Sequence, residues 1–127
     1  MPIPGRGHKA LAVNLSDLAA MGAQPLGCLL GLALPARDDA WLAAFAEGFH
    51  ALARAHGCPL IGGDTTRSPH DLTLSVTVFG AVPADTALRR DGARVDDDIW
   101  VSGALGRPTS PTVCLMANCP PMRRAWP

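Results

Sequence analysis

The segment Gly62-Gly63-Asp64-Thr65-Thr66 combines residue types that suit phosphate and metal chemistry. It follows a short apolar stretch, residues 59–62, which predicts a brief strand. Two glycines let a backbone approach a ligand closely or adopt a positive φ. Asp64 would then project from the strand end, where open α/β sheets commonly bind ligands, and Mg²⁺ with nucleotide phosphates would suit it. The alternative is a plain Gly-Gly turn with a polar cap; the chain has no GxxxxGK[ST] pattern.

Asp17 is a second candidate, because it lies within an apolar helical segment. An ionised carboxylate there costs free energy unless it meets a cation or hydrogen-bond donors. We therefore consider two interpretations, a metal ligand and a carboxylate on the solvent-facing side of the helix.

The segment Arg89-Arg90-Asp91-Gly92 is the third candidate. An arginine could hold phosphate oxygens in a two-pronged contact, and a solvated charged turn is the alternative. The histidines are scattered with no Ser or Cys beside them, so the sequence predicts no catalytic nucleophile or base.

The elements that must position these residues follow from apolar spacing. It predicts helices at residues 9–21 and 38–56, and strands at residues 26–34, 59–62, 72–80 and 99–102. The continuous apolar run at 26–34 is typical of a strand buried on both faces. Asp38 or Asp39 can cap the second helix, and Gly22 and Gly57 can end the two helices. This order indicates an α/β or α+β arrangement of layers.

Composition limits the function classes. Hydrophobic residues make up 48% and charged residues 17% of the chain, which indicates a folded domain. The formal net charge is zero and aromatic residues are 5%, so nucleic-acid binding is not expected. The uncharged run at 18–36 is interrupted by Gly22 and Pro25, so no membrane span is expected. Four cysteines without a CxxC pair predict neither zinc nor disulfides, but free thiols in a reducing, cytoplasmic compartment.

Residues 107–127 differ from the rest of the chain. They contain three arginines, no acidic residue and 5 of the 12 prolines, and they show no sustained helical or strand period. We expect a domain at residues 1–106 and an irregular tail at 107–127. Our hypothesis is that this tail arises from a shifted reading frame or a misassembled gene.

Five segments together closely resemble the thiamine-monophosphate kinase family. They are residues 9–23, Leu34-Pro35, the GGDTTR stretch at 62–67, the LRRDGA stretch at 88–93, and residues 101–106. The resemblance covers about residues 5–106. The family is similar in turn to aminoimidazole-ribonucleotide synthetase, selenophosphate synthetase and a hydrogenase maturation factor.

This resemblance implies an incomplete amino-terminal domain of the aminoimidazole-ribonucleotide synthetase-like fold, an α/β (α+β) fold with a mixed sheet packed by helices. Two such domains pair into a β-barrel-like homodimer in the family. It implies transfer of the γ-phosphate of ATP to thiamine monophosphate, giving thiamine diphosphate. Asp17 and Asp64 would bind Mg²⁺, and Gly63, Asp64 and Arg90 would contact ATP. Phosphoryl transfer needs metals to offset phosphate charge, and the substrate's own phosphate oxygen is the nucleophile.

The chain also departs from the family pattern. The family has metal-ligating segments upstream of the helix at 9–21 and a second domain after residue 106. We therefore expect this chain to have little or no kinase activity by itself. The alternatives are a non-catalytic dimerisation or binding module, and another ATP-dependent enzyme of the same superfamily.

Overall fold

The computed structural model describes residues 3–98. The chain divides into two compact units, Met1–Leu88 and Arg89–Pro127. The first contains the helices and strands α1 (Ile3–Ala20), β1 (Gln24–Leu34), α2 (Asp39–Ala55), β2 (Leu60–Arg67) and β3 (Thr73–Ala81). The described part of the second, residues 89–98, consists of turns and irregular backbone. The predicted strand at 99–102 and the tail at 107–127 lie outside the described residues.

The three strands form one mixed sheet in the order β2-β1-β3. Strand β1 pairs with β2 in parallel and with β3 in antiparallel orientation. Helix α1 contacts β3 and β1, and α2 packs on α1. This arrangement confirms the predicted mixed sheet packed by helices. In residues 3–98 no helix has both the length and the hydrophobicity needed to cross a membrane.

Helix α1 begins at Ile3, earlier than the predicted start at residue 9. Its first turn contains Pro4, which a helix tolerates there because the first N–H groups have no helical partner. Close packing on α2 stabilises the added turns. A Cβ on Gly7 would overlap the carbonyl oxygen of Phe45, and one on Gly48 would overlap that of Pro4. The missing side chains therefore let the two helix backbones meet.

Helix boundaries otherwise follow the sequence signals. Asp38 caps α2 by accepting a hydrogen bond from the Trp41 N–H at 2.9 Å. Gly22 and Gly57 adopt positive φ angles of 72° and 59° directly after the two helices. In both cases the next N–H donates to a carbonyl five residues back, an arrangement that satisfies the last helical carbonyls. The predicted cap and both predicted stops are confirmed.

The sheet has a covered face and an open face. We define the covered face by Cys28, Leu32, Leu74, Val78 and Gly80, because α1 packs on this side: a Cβ on Gly80 would lie 2.9 Å from the Leu18 side chain. The open face carries Leu29, Gly31, Ser75, Thr77 and Phe79.

The prediction that β1 is buried on both faces is wrong for the described residues. Cys28 is 0% and Leu32 is 6% exposed on the covered face. On the open face Leu29 and Gly31 are only half-buried, and Leu26, at the register irregularity between Pro25 and Gly27, is 61% exposed. The reason is that the helices of residues 3–98 pack on one side of the sheet only.

Candidate nucleotide and metal site

Strand β2 is longer than the sequence predicted. The brief strand expected at residues 59–62 extends to Arg67, so Asp64 lies inside the strand and not after its end. The pairing with β1 explains this extension, because β1 continues alongside β2 as far as Leu34 opposite Arg67. The expectation that Asp64 projects from the end of a strand is therefore wrong, and so is the alternative of a plain Gly-Gly turn. Of the two glycines, Gly63 adopts the positive φ that was predicted.

Gly63 requires the absence of a side chain. Its φ is 147°, and a Cβ there would overlap the carbonyl oxygen of Leu30 in the neighbouring strand. Gly62 is less restricted, because a Cβ would lie 3.2 Å from the end of the flexible Leu29 side chain. The segment before Asp64 thus has one obligatory glycine and one replaceable glycine.

Asp64 lies on the open face of the sheet. It pairs with Gly31 of β1, and Gly31 pairs on its other side with Ser75 of β3. The Asp64 side chain is exposed, and within residues 3–98 it has no ion pair or side-chain hydrogen bond. A shallow, open depression of about 460 Å³ runs along β2 at the edge of the sheet, lined by residues of both faces: Leu30, Leu60, Ile61, Gly62, Gly63, Asp64 and Thr65. An unpaired carboxylate at an open depression is accessible to a cation.

The Thr65 and Thr66 hydroxyls belong to the predicted segment, whereas the hydroxyls of Thr73 and Ser75 on β3 were not identified from the sequence. Thr66 follows two positions later on the same strand and therefore points to the same face. Thr66 pairs through Ala33 with Thr73, next to Ser75 on β3. The alternation of β3, which leaves its Thr and Ser side chains exposed, was the signal that could have revealed them.

Asp17 lies on the exposed side of α1, as the solvent-facing interpretation expects. Helix α1, which carries Asp17, packs on the covered face of the sheet, whereas Asp64 lies on the open face. The structure therefore places the two predicted metal ligands on elements at opposite sides of the sheet, and the metal role of Asp17 stays a prediction.

Arg90 lies in the second compact unit, which we describe by itself. Its neighbours Arg89 and Asp91 form an ion pair, with Nε to Oδ1 at 2.8 Å and Nη2 to Oδ2 at 2.7 Å. The Arg89 guanidinium lowers the pKa of the Asp91 carboxyl below its ordinary value. Arg90 is exposed and forms no ion pair with another described residue.

The donor chemistry around Asp64 fits Mg²⁺ held partly by a nucleotide. Among residues 3–98 there is no group of three or more His, Cys, Asp or Glu side chains that could hold a metal ion. Mg²⁺ usually keeps several waters and binds through one or two carboxylates together with substrate phosphates. A single accessible carboxylate near hydroxyl groups agrees with that mode and not with a cage of protein ligands.

The two described cysteines do not provide a nucleophile. Cys28 and Cys58 are both free and 0% exposed. Burial, with a further contribution from the nearby Cys58, raises the pKa of the Cys28 thiol to about 11. Burial also raises the pKa of Cys58. Both thiols therefore remain protonated at neutral pH, where a thiol is a poor nucleophile.

Comparison with known proteins identifies relatives of this arrangement. Residues 2–82 match the family model described as AIR synthase related protein, N-terminal domain. The thiamine-monophosphate kinase of Salmonella typhimurium is 52% identical over 99 residues, which are 78% of this chain and 30% of that protein. The chain thus spans about a third or less of the length of the curated relatives that it matches.

Solved structures give the same result. A thiamine-monophosphate kinase from Stenotrophomonas maltophilia K279a is 57% identical with a TM-score of 0.78, over 84% of this chain and 33% of that one. AaThiL complexed with AMPPCP and TMP is 29% identical with a TM-score of 0.59, over 61% of this chain and 25% of that one. These likenesses confirm the family resemblance inferred from the sequence segments.

Proposed function

The chain belongs to the AIR synthase related proteins through their N-terminal domain, and we propose from this that it carries the nucleotide-binding and metal-binding part of a thiamine-monophosphate kinase. The activity would be transfer of the γ-phosphate of ATP to thiamine monophosphate. The observation that carries this proposal is the position of Asp64, exposed on the open face of the sheet directly after Gly63, where any side chain would be strained. The named relatives supply the substrate class.

The roles of the residues follow from their chemistry. Asp64 would hold Mg²⁺ through its carboxylate, and Asp17 would contribute a second carboxylate in the assembled enzyme. When bound, Mg²⁺ offsets the negative charge of the phosphates during transfer. Gly63 would let the nucleotide approach the backbone, and the Arg90 guanidinium would hold phosphate oxygens. The reacting oxygen belongs to the phosphate of the acceptor, so the chain needs no side-chain nucleophile.

Nucleotide binding is the direct test. We expect the purified 127-residue chain to bind Mg²⁺–AMPPCP in a calorimetric titration, and Asp64→Asn to weaken binding about tenfold, as loss of a charged metal contact implies. Asp71→Asn is the matched control, because Asp71 is an exposed aspartate in the loop between β2 and β3. Equal affinities of the wild type and Asp64→Asn would contradict the proposed role of Asp64.

We expect little or no formation of thiamine diphosphate by this chain alone, because phosphoryl transfer needs several metals held by carboxylates and the structure places the two candidate ligands, Asp17 and Asp64, on elements at opposite sides of the sheet. A phosphoryl-transfer assay with thiamine monophosphate measures this directly. The buried free thiols Cys28 and Cys58 support a location in the reducing cytoplasm.

A dimerisation module is the second candidate, and the open face of the sheet favours it. Ile61 and Phe79 are 63% and 42% exposed on or beside this face. Pairing of two open faces would remove this apolar area from water, as the β-barrel-like homodimer of the family implies. Size-exclusion chromatography with a Mg²⁺–ATP titration separates the candidates. A stable dimer that binds no nucleotide would favour the module over the kinase part.

A further inference from the structure

The segment Arg89–Gly92 forms a closed turn around Arg90. The Gly92 N–H donates to the Arg89 carbonyl oxygen at 3.2 Å. Above this backbone bond, the Arg89 guanidinium and the Asp91 carboxylate form two parallel hydrogen bonds. The middle residue is therefore flanked by two side chains that already neutralise each other.

The same arrangement occurs a second time in the chain, which gives an internal comparison. Arg37 and Asp39 form an equivalent pair, with Nε to Oδ1 at 2.8 Å and Nη2 to Oδ2 at 2.9 Å. There the middle residue, Asp38, uses its carboxylate elsewhere, as the cap of α2. In both places the outer Arg and Asp occupy each other, and the middle side chain remains available for a different partner.

We propose that Asp91 is a positioning residue that assigns the phosphate contact to Arg90 and not to Arg89. This inference rests on the proposed nucleotide-binding function. Two adjacent arginines could each form a two-pronged contact with a phosphate group. Because Asp91 already fills the donor fork of Arg89, Arg90 is the arginine left to bind the anionic phosphates of a nucleotide.

A set of variants in the 127-residue chain tests this assignment by titration with Mg²⁺–AMPPCP. With Asp91 present, we expect Arg90→Gln to weaken binding about tenfold and Arg89→Gln to change it by less than about twofold, as expected for loss of one charge-assisted contact. In an Asp91→Asn background, Arg89 is released and can replace Arg90. The additional effect of Arg90→Gln should then fall below about threefold.

When Asp91 is replaced, the affinity for Mg²⁺–AMPPCP should depend much less on Arg90. A merely structural role of Asp91 would not produce this change. Asp39→Asn is the matched control, since it breaks the equivalent pair without touching Arg90, and the effect of Arg90→Gln should be unchanged in it. The proposal is overturned if Arg89→Gln weakens binding as much as Arg90→Gln, or if Arg90→Gln has the same effect with and without Asp91.

A second measurement does not depend on nucleotide binding. The Arg89 Nε–H resonance in a ¹⁵N–¹H NMR spectrum should shift in Asp91→Asn and stay unchanged in Asp39→Asn, while the Arg37 resonance should show the reverse. If the Arg89 resonance is unchanged in Asp91→Asn, the Arg89–Asp91 ion pair is excluded, and so is the positioning role of Asp91. A wild-type chain with the expected resonances but no affinity for Mg²⁺–AMPPCP would contradict the proposed function, and with it the phosphate role of Arg90, but not the ion pair.

Discussion

On the covered face of the sheet Cys28 is 0% and Leu32 6% exposed, whereas Ile61 and Phe79 on the open side are 63% and 42% exposed. The same three strands supply both faces, so the difference comes from what packs on them. Helix α1 lies on one side, and the exposed carboxylate of Asp64 lies on the other. Changes on the covered side should therefore alter stability, and changes on the open side should alter binding.

The largest loss of stability should come from a substitution that separates α1 and α2 above the covered face. Gly48→Ala would place a methyl group against the Pro4 carbonyl oxygen, and we expect it to lower the free energy of unfolding by about 3 kcal/mol, the upper end for overpacking. Glu47→Ala is the control, because Glu47 is the exposed neighbour in the same helix and should change stability by less than about 0.5 kcal/mol. Urea denaturation followed by circular dichroism measures both, and equal midpoints would refute the close packing.

The adjacent glycines of β2 give a second, smaller contrast. Gly63→Ala should lower the free energy of unfolding by about 2 kcal/mol, because alanine is strained at positive φ and would overlap the Leu30 carbonyl. Gly62→Ala should cost less than about 1 kcal/mol, since only the end of the Leu29 side chain must move. Thermal unfolding of the two variants compares them directly. A reversed order would show that Gly62 and not Gly63 is the restricted position.

The smallest expected effect is a pH dependence from the covered face. Burial raises the pKa of Cys28 from 9.0 to about 11 in the folded chain. The contribution of this thiol to the free energy of unfolding is therefore fully present below about pH 9 and is lost as the pH rises toward 11. Between about pH 8 and pH 10 this amounts to roughly 1 kcal/mol. Denaturation midpoints across this range should fall more steeply for the wild type than for Cys28→Ala. An equally steep fall in Cys28→Ala would assign the effect to other groups.

Local signals in the sequence predicted the elements whose boundaries depend on local chemistry. Asp38 caps α2 through a bond to a residue three positions away, and Gly57 ends it through its own backbone conformation, so neighbouring residues contain the information. The start of α1 was missed because it depends on contact with α2, where Gly48 lies 44 residues after its contact Pro4.

In the candidate site, too, features that depend on neighbouring residues were predicted, and features that depend on distant contacts were missed. The sequence identified Gly63 and Asp64, but it ended the strand before them, since only pairing with β1 extends β2 to Arg67. It proposed Arg90 without detecting that Asp91 occupies Arg89, although opposite charges two positions apart in a turn were visible. The roles of Asp17, Asp64 and Arg90 in binding remain predictions, and the titrations above test two of them.

The strand order has a consequence for how the chain folds. The central strand β1 is synthesised before both of its partners, and its last partner ends at Ala81. The apolar residues of β1 therefore stay unpaired until both partner strands, which are distant in sequence, have formed. Pairing between distant segments slows folding compared with local contacts. During that interval β1 is the segment most exposed to association between chains. Coexpression with a chaperone that binds extended apolar segments should therefore raise the yield of folded protein. The increase should be larger than the one obtained by lowering the salt concentration of the solution.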